Sequence, residues 1–141
     1  MKILEILTPK RLLGNFGERA ARRYLRKHGY LIIGRNYVAD STEIDIIAER
    51  DGVRAFVEVK TRTYKEPSPI TSRPAAAVNR EKQRKIINCA RIYNAKHYKE
   101  CRSRFDVIEV YTEQVGIKTK VREIKHIIAA FDKSSAARYK K

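Results

Sequence analysis

The residues with the clearest chemical potential are one carboxylate, Asp45, and a later carboxylate and lysine, Glu58 and Lys60. Asp51-Gly52 lies between them and is a strong signal for a two-residue β-hairpin turn. With that turn, Asp45 comes opposite Glu58, and the alternation of side chains along strands places Lys60 on the same face. Opposed Cβ atoms are about 4.5–5.5 Å apart. Two carboxylates that close repel unless a cation lies between them, and Mg²⁺ or Mn²⁺ accepts carboxylate, water and phosphate oxygens together.

The same register adds Glu43 opposite Lys60 and assigns a core surface to the other face of the hairpin, formed by Ile44, Ile46, Val57 and Val59. Lys60 is suited to orient a water nucleophile or to neutralise charge on a phosphate. Glu18, on a predicted helix, is a further carboxylate that completes the site. The predicted catalytic residues are Asp45, Glu58, Lys60 and Glu18, and the predicted metal ligands are Asp45, Glu58 and Glu43.

A second interpretation of the hairpin is a solvated edge with alternating charges, where four ionisable residues on one face are ordinary. One stretch argues against it. Residues 55–60 are otherwise apolar, which is typical of a central strand, and a buried Glu58 and Lys60 then need a reason.

Seven elements must position these residues, in the order α-β-β-β-α-β-β, which predicts an α/β fold with a mixed central sheet flanked by helices. The first helix is predicted with Asn15 as its N-cap, Glu18 as the partner in a capping box, and Gly29 just past its end. The predicted helices are Leu13–His28 and Ala75–Tyr98, and the predicted strands are Tyr30–Tyr37, Glu43–Ala48, Val53–Thr61, Arg104–Tyr111 and Ile117–Ile124. Lys65–Pro74 is predicted as a stiff, proline-containing loop, and Ile127–Phe131 as a short apolar segment.

Length and charge restrict the function classes. The chain has 141 residues, suits one domain over residues 1–132, and ends in a basic tail, residues 133–141, that we expect to be disordered. Its formal net charge is +16, which favours a polyanionic partner, with nucleic acid first and anionic membrane second. No apolar run spans a bilayer, no secretion signal is present, and two distant cysteines form no C-x-x-C pair, so we expect a cytoplasmic protein.

Asp45 followed by Glu58-Val59-Lys60 resembles the D…(D/E)-x-K motif of restriction-endonuclease-like nucleases. The wider pattern resembles the YraN family of small bacterial proteins, assigned to the same PD-(D/E)xK nuclease fold, over about residues 14–131. The resemblance implies an α-β-β-β-α-β core and carries over the helix glutamate, the two metal carboxylates and the catalytic lysine to Glu18, Asp45, Glu58 and Lys60. The segments that carry it are Gly14–Glu18, Gly29-Tyr30, Arg35–Tyr37, Glu43–Ala48, Phe56–Arg62, Arg104–Val107 and Ala130-Phe131.

These observations predict a Mg²⁺- or Mn²⁺-dependent nuclease acting on DNA. Archaeal Holliday-junction resolvases are similar over the first half of the chain, and by that analogy we expect structured or branched DNA and a homodimer. A DNA-binding or adaptor protein on a nuclease fold with little turnover is the alternative, and a lipid-binding protein is a third. The predicted nucleic-acid contacts are Arg62, Lys82, Gln83 and Arg22, with a structural ion pair as the alternative for Arg62 and a solvated helix face for Lys82 and Gln83.

Overall fold

The structure, a computed structural model, describes residues 8–65 and 78–134. Two helices and five strands follow one another in the predicted order. They are α1 (Pro9–Lys27), β1 (Leu31–Ala39), β2 (Thr42–Arg50), β3 (Val53–Thr63), α2 (Arg80–Lys96), β4 (Arg102–Val115) and β5 (Lys118–Phe131). The predicted loop from residue 66 onward, and residues 135–141 of the predicted tail, lie outside the described part of the chain.

One sheet runs through the molecule in the order β1-β2-β3-β4-β5. All neighbouring strands are antiparallel except β3 and β4, which are parallel because α2 crosses over between them. The mixed sheet of the prediction is therefore confirmed. Apolar side chains pack on both of its faces, with Leu25 of α1 in one cluster and Ile86 of α2 in the other. Neither helix of the described part is both long and apolar enough to cross a bilayer.

The β2–β3 hairpin is built by its turn. Asp51 and Gly52 have φ of 52° and 74°, the left-handed values that a two-residue turn of this kind requires. The pairing from Arg50 with Val53 to Ile46 with Val57 follows the predicted register. The ladder ends there, so the predicted cross-strand pairs of Asp45 with Glu58 and of Glu43 with Lys60 are not formed.

The neighbouring strand, β1, contains a residue in the left-handed conformation close to the point where the β2–β3 ladder ends. Asn36 of β1 has φ of 49°, and the β1–β2 ladder has no pair between Asn36 and Asp45, although their neighbours on both sides are paired. On either side of Asp45 the strand changes face: Ile44 packs in the cluster that contains α2, and Ile46 packs in the cluster that contains α1. The prediction that Ile44 and Ile46 share one core surface is therefore wrong, because the backbone alternation is interrupted between them.

Both helices begin elsewhere than predicted. The side chain of Thr8 caps α1 by accepting from the N–H of Arg11, with Pro9 in the first turn, so Asn15 and Glu18 lie inside the helix rather than in a capping box. Asn79 caps α2, which starts at Arg80 rather than at residue 75. The predicted end of α1 is confirmed, since Gly29 follows the helix with φ of 85°.

β5 is longer than predicted and includes Ile127–Phe131. A second left-handed residue, Ala129 with φ of 54°, interrupts its pairing with β4, and the N–H of Ala129 donates to the Oδ1 of Asp106 at 3.0 Å. The apolar segment that followed the predicted strand is thus the second half of the same strand after an irregularity.

Candidate active site

Asp45 lies where β2 and β3 separate. Its Oδ2 accepts a hydrogen bond of 2.8 Å from the backbone N–H of Val59, so the carboxylate replaces the missing ladder bond. Burial raises the pKa of Asp45 to about 8, and the charge of Glu58 adds to this more than those of Glu18 and Glu43, while the Val59 hydrogen bond acts in the opposite direction. A carboxyl group in this position demands either a proton or a cation.

Glu58 is the second central carboxylate, and its side chain is 9% exposed. Its Oε2 lies 3.5 Å from the Nζ of Lys60 on the same strand and 3.9 Å from the Nζ of Lys82 in the first turn of α2. Lys60 therefore pairs with Glu58 rather than with Glu43 as the register predicted. Two ammonium groups meet on one carboxylate oxygen, and both are within reach of a phosphate placed at Glu58.

Glu18 reaches the site because α1 lies unusually close to β3. A Cβ added to Gly17 would be 1.9 Å from the Oγ1 of Thr61, so only glycine allows this approach of the helix. The Nδ2 of Asn36 donates to the Oε1 of Glu18 at 3.1 Å. The predicted contribution of α1 to the site is consistent with this placement.

A cavity of about 450 Å³ opens beside these residues. Glu18, Asn36 and the exposed Glu43 share its wall, and two basic residues, Lys10 and Arg11, lie at the start of α1 on the same cavity. Glu43 thus lies with Glu18, on the α1 side of Asp45, rather than opposite Lys60.

The donor atoms suit a hard divalent cation with few protein ligands. Within residues 8–65 and 78–134, no three His, Cys, Asp or Glu side chains converge closely enough to hold a metal ion by themselves. Mg²⁺ commonly takes only one or two carboxylates and completes its shell with water and substrate phosphate oxygens. Asp45 and Glu58 match that requirement, because burial and neighbouring carboxylates raise the pKa of Asp45, and a divalent cation would offset both effects.

The four predicted nucleic-acid contacts lie in different environments. Lys82 faces the site through Glu58. Gln83 is buried, and its Nε2 donates to the carbonyl of Val78 at 2.9 Å. The Nε of Arg62 lies 3.4 Å from the Oε2 of the buried Glu109, the ion pair that was the alternative, yet Arg62 stays half exposed.

Arg22 lies one helical turn after Glu18 on α1 and is partly buried. Burial and the neighbouring Arg35 lower its pKa, and the charge of Glu18 raises it. The charges of Arg35 and Glu18 thus act on Arg22 in opposite directions.

Sequence reasoning missed two contributors, Asn36 and the N–H of Val59. Asn36 carries a usable signal, because asparagine is the residue after glycine that most readily adopts the left-handed conformation. Glu109 is a neighbour of the site rather than a contributor to it: its side chain accepts from the Oη of Tyr111 at 2.9 Å, and the residue pairs with Lys60 in the parallel ladder.

Asp106 belongs to a separate cluster of hydrogen bonds with Arg104, His126 and Ala129. It is fully buried and accepts from Arg104 at 2.9 Å through each of its two oxygens, while the Nε2 of His126 lies 2.8 Å from Oδ2. Burial acts to raise the pKa of Asp106, but the hydrogen bonds with His126 and Arg104 outweigh it and lower the pKa.

Comparison with known proteins places these features in a family context. The family model described as "Uncharacterised protein family UPF0102" matches residues 17–110. A UPF0102 protein of Caldanaerobacter subterraneus subsp. tengcongensis is 40% identical over 123 residues, covering 86% of this chain and 96% of the relative. A UPF0102 protein of Trichlorobacter lovleyi is 41% identical over 122 residues, covering 85% of this chain and 90% of the relative. A UPF0102 protein of Chlorobaculum parvum is 42% identical over 123 residues, covering 84% of this chain and 91% of the relative.

Proposed function

Because this chain belongs to the UPF0102, or YraN, family, whose description names no activity, we propose its function from the geometry of the site. We propose a metal-dependent nuclease that hydrolyses phosphodiester bonds in DNA, built on a restriction-endonuclease-like core. Structured or branched DNA is the proposed substrate, and the proposal includes a homodimer and Mg²⁺ or Mn²⁺ as the cofactor.

The observation that carries the proposal is the environment of Asp45. Its carboxylate is held by the N–H of Val59 in the gap between two strands, and Glu58, Glu18 and Glu43 all raise its pKa. A fold that gathers negative charge around a half-buried carboxyl group sacrifices stability, and such arrangements are concentrated at functional sites. A divalent cation removes the conflict.

The roles of the side chains follow from their positions. Asp45 and Glu58 would hold the metal, which when bound supplies Lewis acidity toward a phosphate oxygen. Lys60 lies beside Glu58 with ammonium protons free to hold an attacking water or a phosphate oxygen. Lys82 reaches the same oxygen of Glu58 from α2 and would neutralise a second part of the phosphodiester.

Charge at the edge of the site supports a nucleic-acid substrate. Lys10 and Arg11 line the cavity that contains Glu18, and the whole chain carries a formal charge of +16. Basic residues around an acidic centre attract a polyanion while leaving a place for a cation. Binding should weaken with salt, with a slope of about −0.9 per neutralised phosphate on a log–log plot.

A DNA-binding protein without turnover is the second candidate, and one observation favours it. Glu58 already contacts two lysine ammonium groups, and the described part of the chain contains no group of three metal-ligating side chains. In that case Lys60 and Lys82 compensate Glu58 permanently, and the basic surface serves binding alone.

A cleavage assay separates the two candidates. Purified protein is incubated with linear, flapped and four-way DNA and with RNA, in Mg²⁺ or Mn²⁺, beside the variants Glu58→Ala and Lys60→Ala. We expect wild-type protein to cut at least one DNA, with a loss of at least about 100-fold in each variant because a metal ligand or a charge-stabilising group is removed.

The control is Glu81→Gln, which removes an exposed carboxylate of α2 that pairs with Lys85 at 3.6 Å. It should cleave as the wild type does. If the wild type cuts no substrate better than Glu58→Ala, yet both bind DNA, the nuclease is refuted and the binding protein is retained. If neither binds DNA at moderate salt, both candidates are refuted.

A further inference from the structure

We propose that Asn36 is a positioning residue that holds Glu18 at the metal-binding carboxylates. This inference rests on the proposed function and adds to it a residue outside the D…(D/E)-x-K pattern. Its basis is the position of one residue of β1. The side chain of Asn36 donates to Glu18 of α1, and its backbone lies across from Asp45 of β2, between the residues that pair on either side.

The backbone conformation of Asn36 is linked to the position of Asp45. With φ of 49°, it interrupts the alternation of β1, and opposite it β2 changes face between Ile44 and Ile46. The residue between these two, Asp45, is released from the ladder and turns its carboxylate toward Val59. The left-handed conformation of Asn36 and the displaced carboxylate of Asp45 thus belong to the same irregularity of the β1–β2 pairing.

The side-chain amide of Asn36 restrains Glu18. Its Nδ2 donates to Glu18 Oε1 at 3.1 Å, and both residues line the cavity of about 450 Å³ that also contains Glu43. A carboxylate has a second oxygen, so this single hydrogen bond leaves Glu18 able to accept another from a metal-bound water, or to coordinate a cation.

The chemical nature of the donor matters. The charge of Glu18 acts on Asp45, so the two carboxylates repel each other, and a hydrogen bond from a neighbouring group restrains the flexible side chain of Glu18. An arginine or lysine in place of Asn36 would add positive charge to that of Arg22, which already acts on Glu18. A neutral amide holds the carboxylate and leaves its negative charge in place, which is the role that outer hydrogen-bond partners play around metal ligands.

Two variants separate the backbone role from the amide role. Asn36→Gly keeps easy access to positive φ and removes the amide. Asn36→Ala also removes the amide but disfavours positive φ, so only this variant should lower the melting temperature, by a few degrees. We expect Asn36→Gly to fold with a melting temperature near that of the wild type, and to bind Mn²⁺ about tenfold or more weakly by isothermal titration calorimetry. Cleavage should fall by a similar factor.

A double-mutant cycle identifies the partner. In a Glu18→Ala background, Asn36→Gly should cause no further loss of Mn²⁺ affinity, because the group that it positions is already absent. Asn15→Ala is the matched control, since Asn15 lines the same cavity but makes no hydrogen bond to Glu18, and it should leave Mn²⁺ affinity unchanged.

The outcomes distinguish this inference from the proposed function. Wild-type Mn²⁺ affinity in Asn36→Gly, or a loss of equal size in the Glu18→Ala background, overturns the positioning role. Weaker Mn²⁺ binding in Asn36→Gly together with no nucleic-acid cleavage by the wild type leaves the positioning role intact and refutes the nuclease. A wild type that binds no Mn²⁺ refutes both.

Discussion

The substitution Asp45→Asn should make the metal-free protein more stable while it abolishes function. The half-buried carboxyl group has its pKa raised from 3.8 to about 8, mainly by burial and next by Glu58. Asparagine carries no charge and keeps an oxygen that accepts from the N–H of Val59, so the variant avoids the cost of burying a charge without losing the hydrogen bond.

The size of the effect follows from the pKa. Each pK unit corresponds to about 1.4 kcal/mol, so a displacement of this size sets a ceiling of roughly 5–6 kcal/mol above pH 8. Water penetration and relaxation around Asp45 reduce that figure, and we expect a gain of about 2–4 kcal/mol in the free energy of unfolding at pH 8.

The pH dependence has a definite sign. Below pH 4 the carboxyl group is protonated in both folded and unfolded wild-type protein, so the variant has no electrostatic advantage. Between pH 4 and pH 8 the unfolded chain releases the proton and the folded chain keeps it, so the wild type loses stability as pH rises. The advantage of Asp45→Asn should therefore grow through this window and level off above pH 8.

Urea unfolding in EDTA at pH 4.5, 6 and 8 measures the difference, with Glu81→Gln as the exposed control that should show no such trend. Added Mn²⁺ should raise the stability of the wild type and not that of Asp45→Asn. A variant less stable than the wild type at pH 8, or an advantage that shrinks with rising pH, would refute the reasoning.

Two further substitutions test the packing that places the site. Gly17→Ala should lower the free energy of unfolding by about 1–3 kcal/mol, because its Cβ would meet the Oγ1 of Thr61 at 1.9 Å, and Thr61→Ala should recover part of the loss in urea unfolding. Equal stability of Gly17→Ala and the wild type would contradict this close approach. Arg104→Met should cost about 3 kcal/mol, because it leaves the fully buried Asp106 without its two guanidinium hydrogen bonds. A loss below about 1 kcal/mol in the same assay would show that His126 and the N–H of Ala129 satisfy Asp106 without Arg104.

What the sequence could predict depended on whether a signal was local. Asp51-Gly52 determines its own turn, and the turn determines the register of the next few pairs, so the hairpin as far as Ile46 with Val57 was predictable. The end of that ladder was not, because it goes with the conformation of Asn36 in a different strand.

The site shows the same division. The D…(D/E)-x-K spacing pointed to Asp45 and Glu58, and in the structure the charge of Glu58 raises the pKa of Asp45. The predicted register gave the wrong partner for Lys60, because period-two alternation was extended beyond the point where the strands separate. The helix starts had local signals in Thr8-Pro9 and in Asn79, and weighing those caps would have corrected both boundaries.

The outer strands of the sheet, β1 and β5, share a property with consequences for association between molecules. Each contains one non-glycine residue in the left-handed conformation, Asn36 in β1 and Ala129 in β5. A strand from another molecule can extend a sheet only along a regular row of free N–H and C=O groups, and an irregularity breaks that row. Both edge strands of the sheet therefore resist edge-to-edge aggregation. The left-handed conformation of Asn36, which accompanies the release of Asp45 from the ladder, also disfavours pairing of β1 with a strand of another molecule.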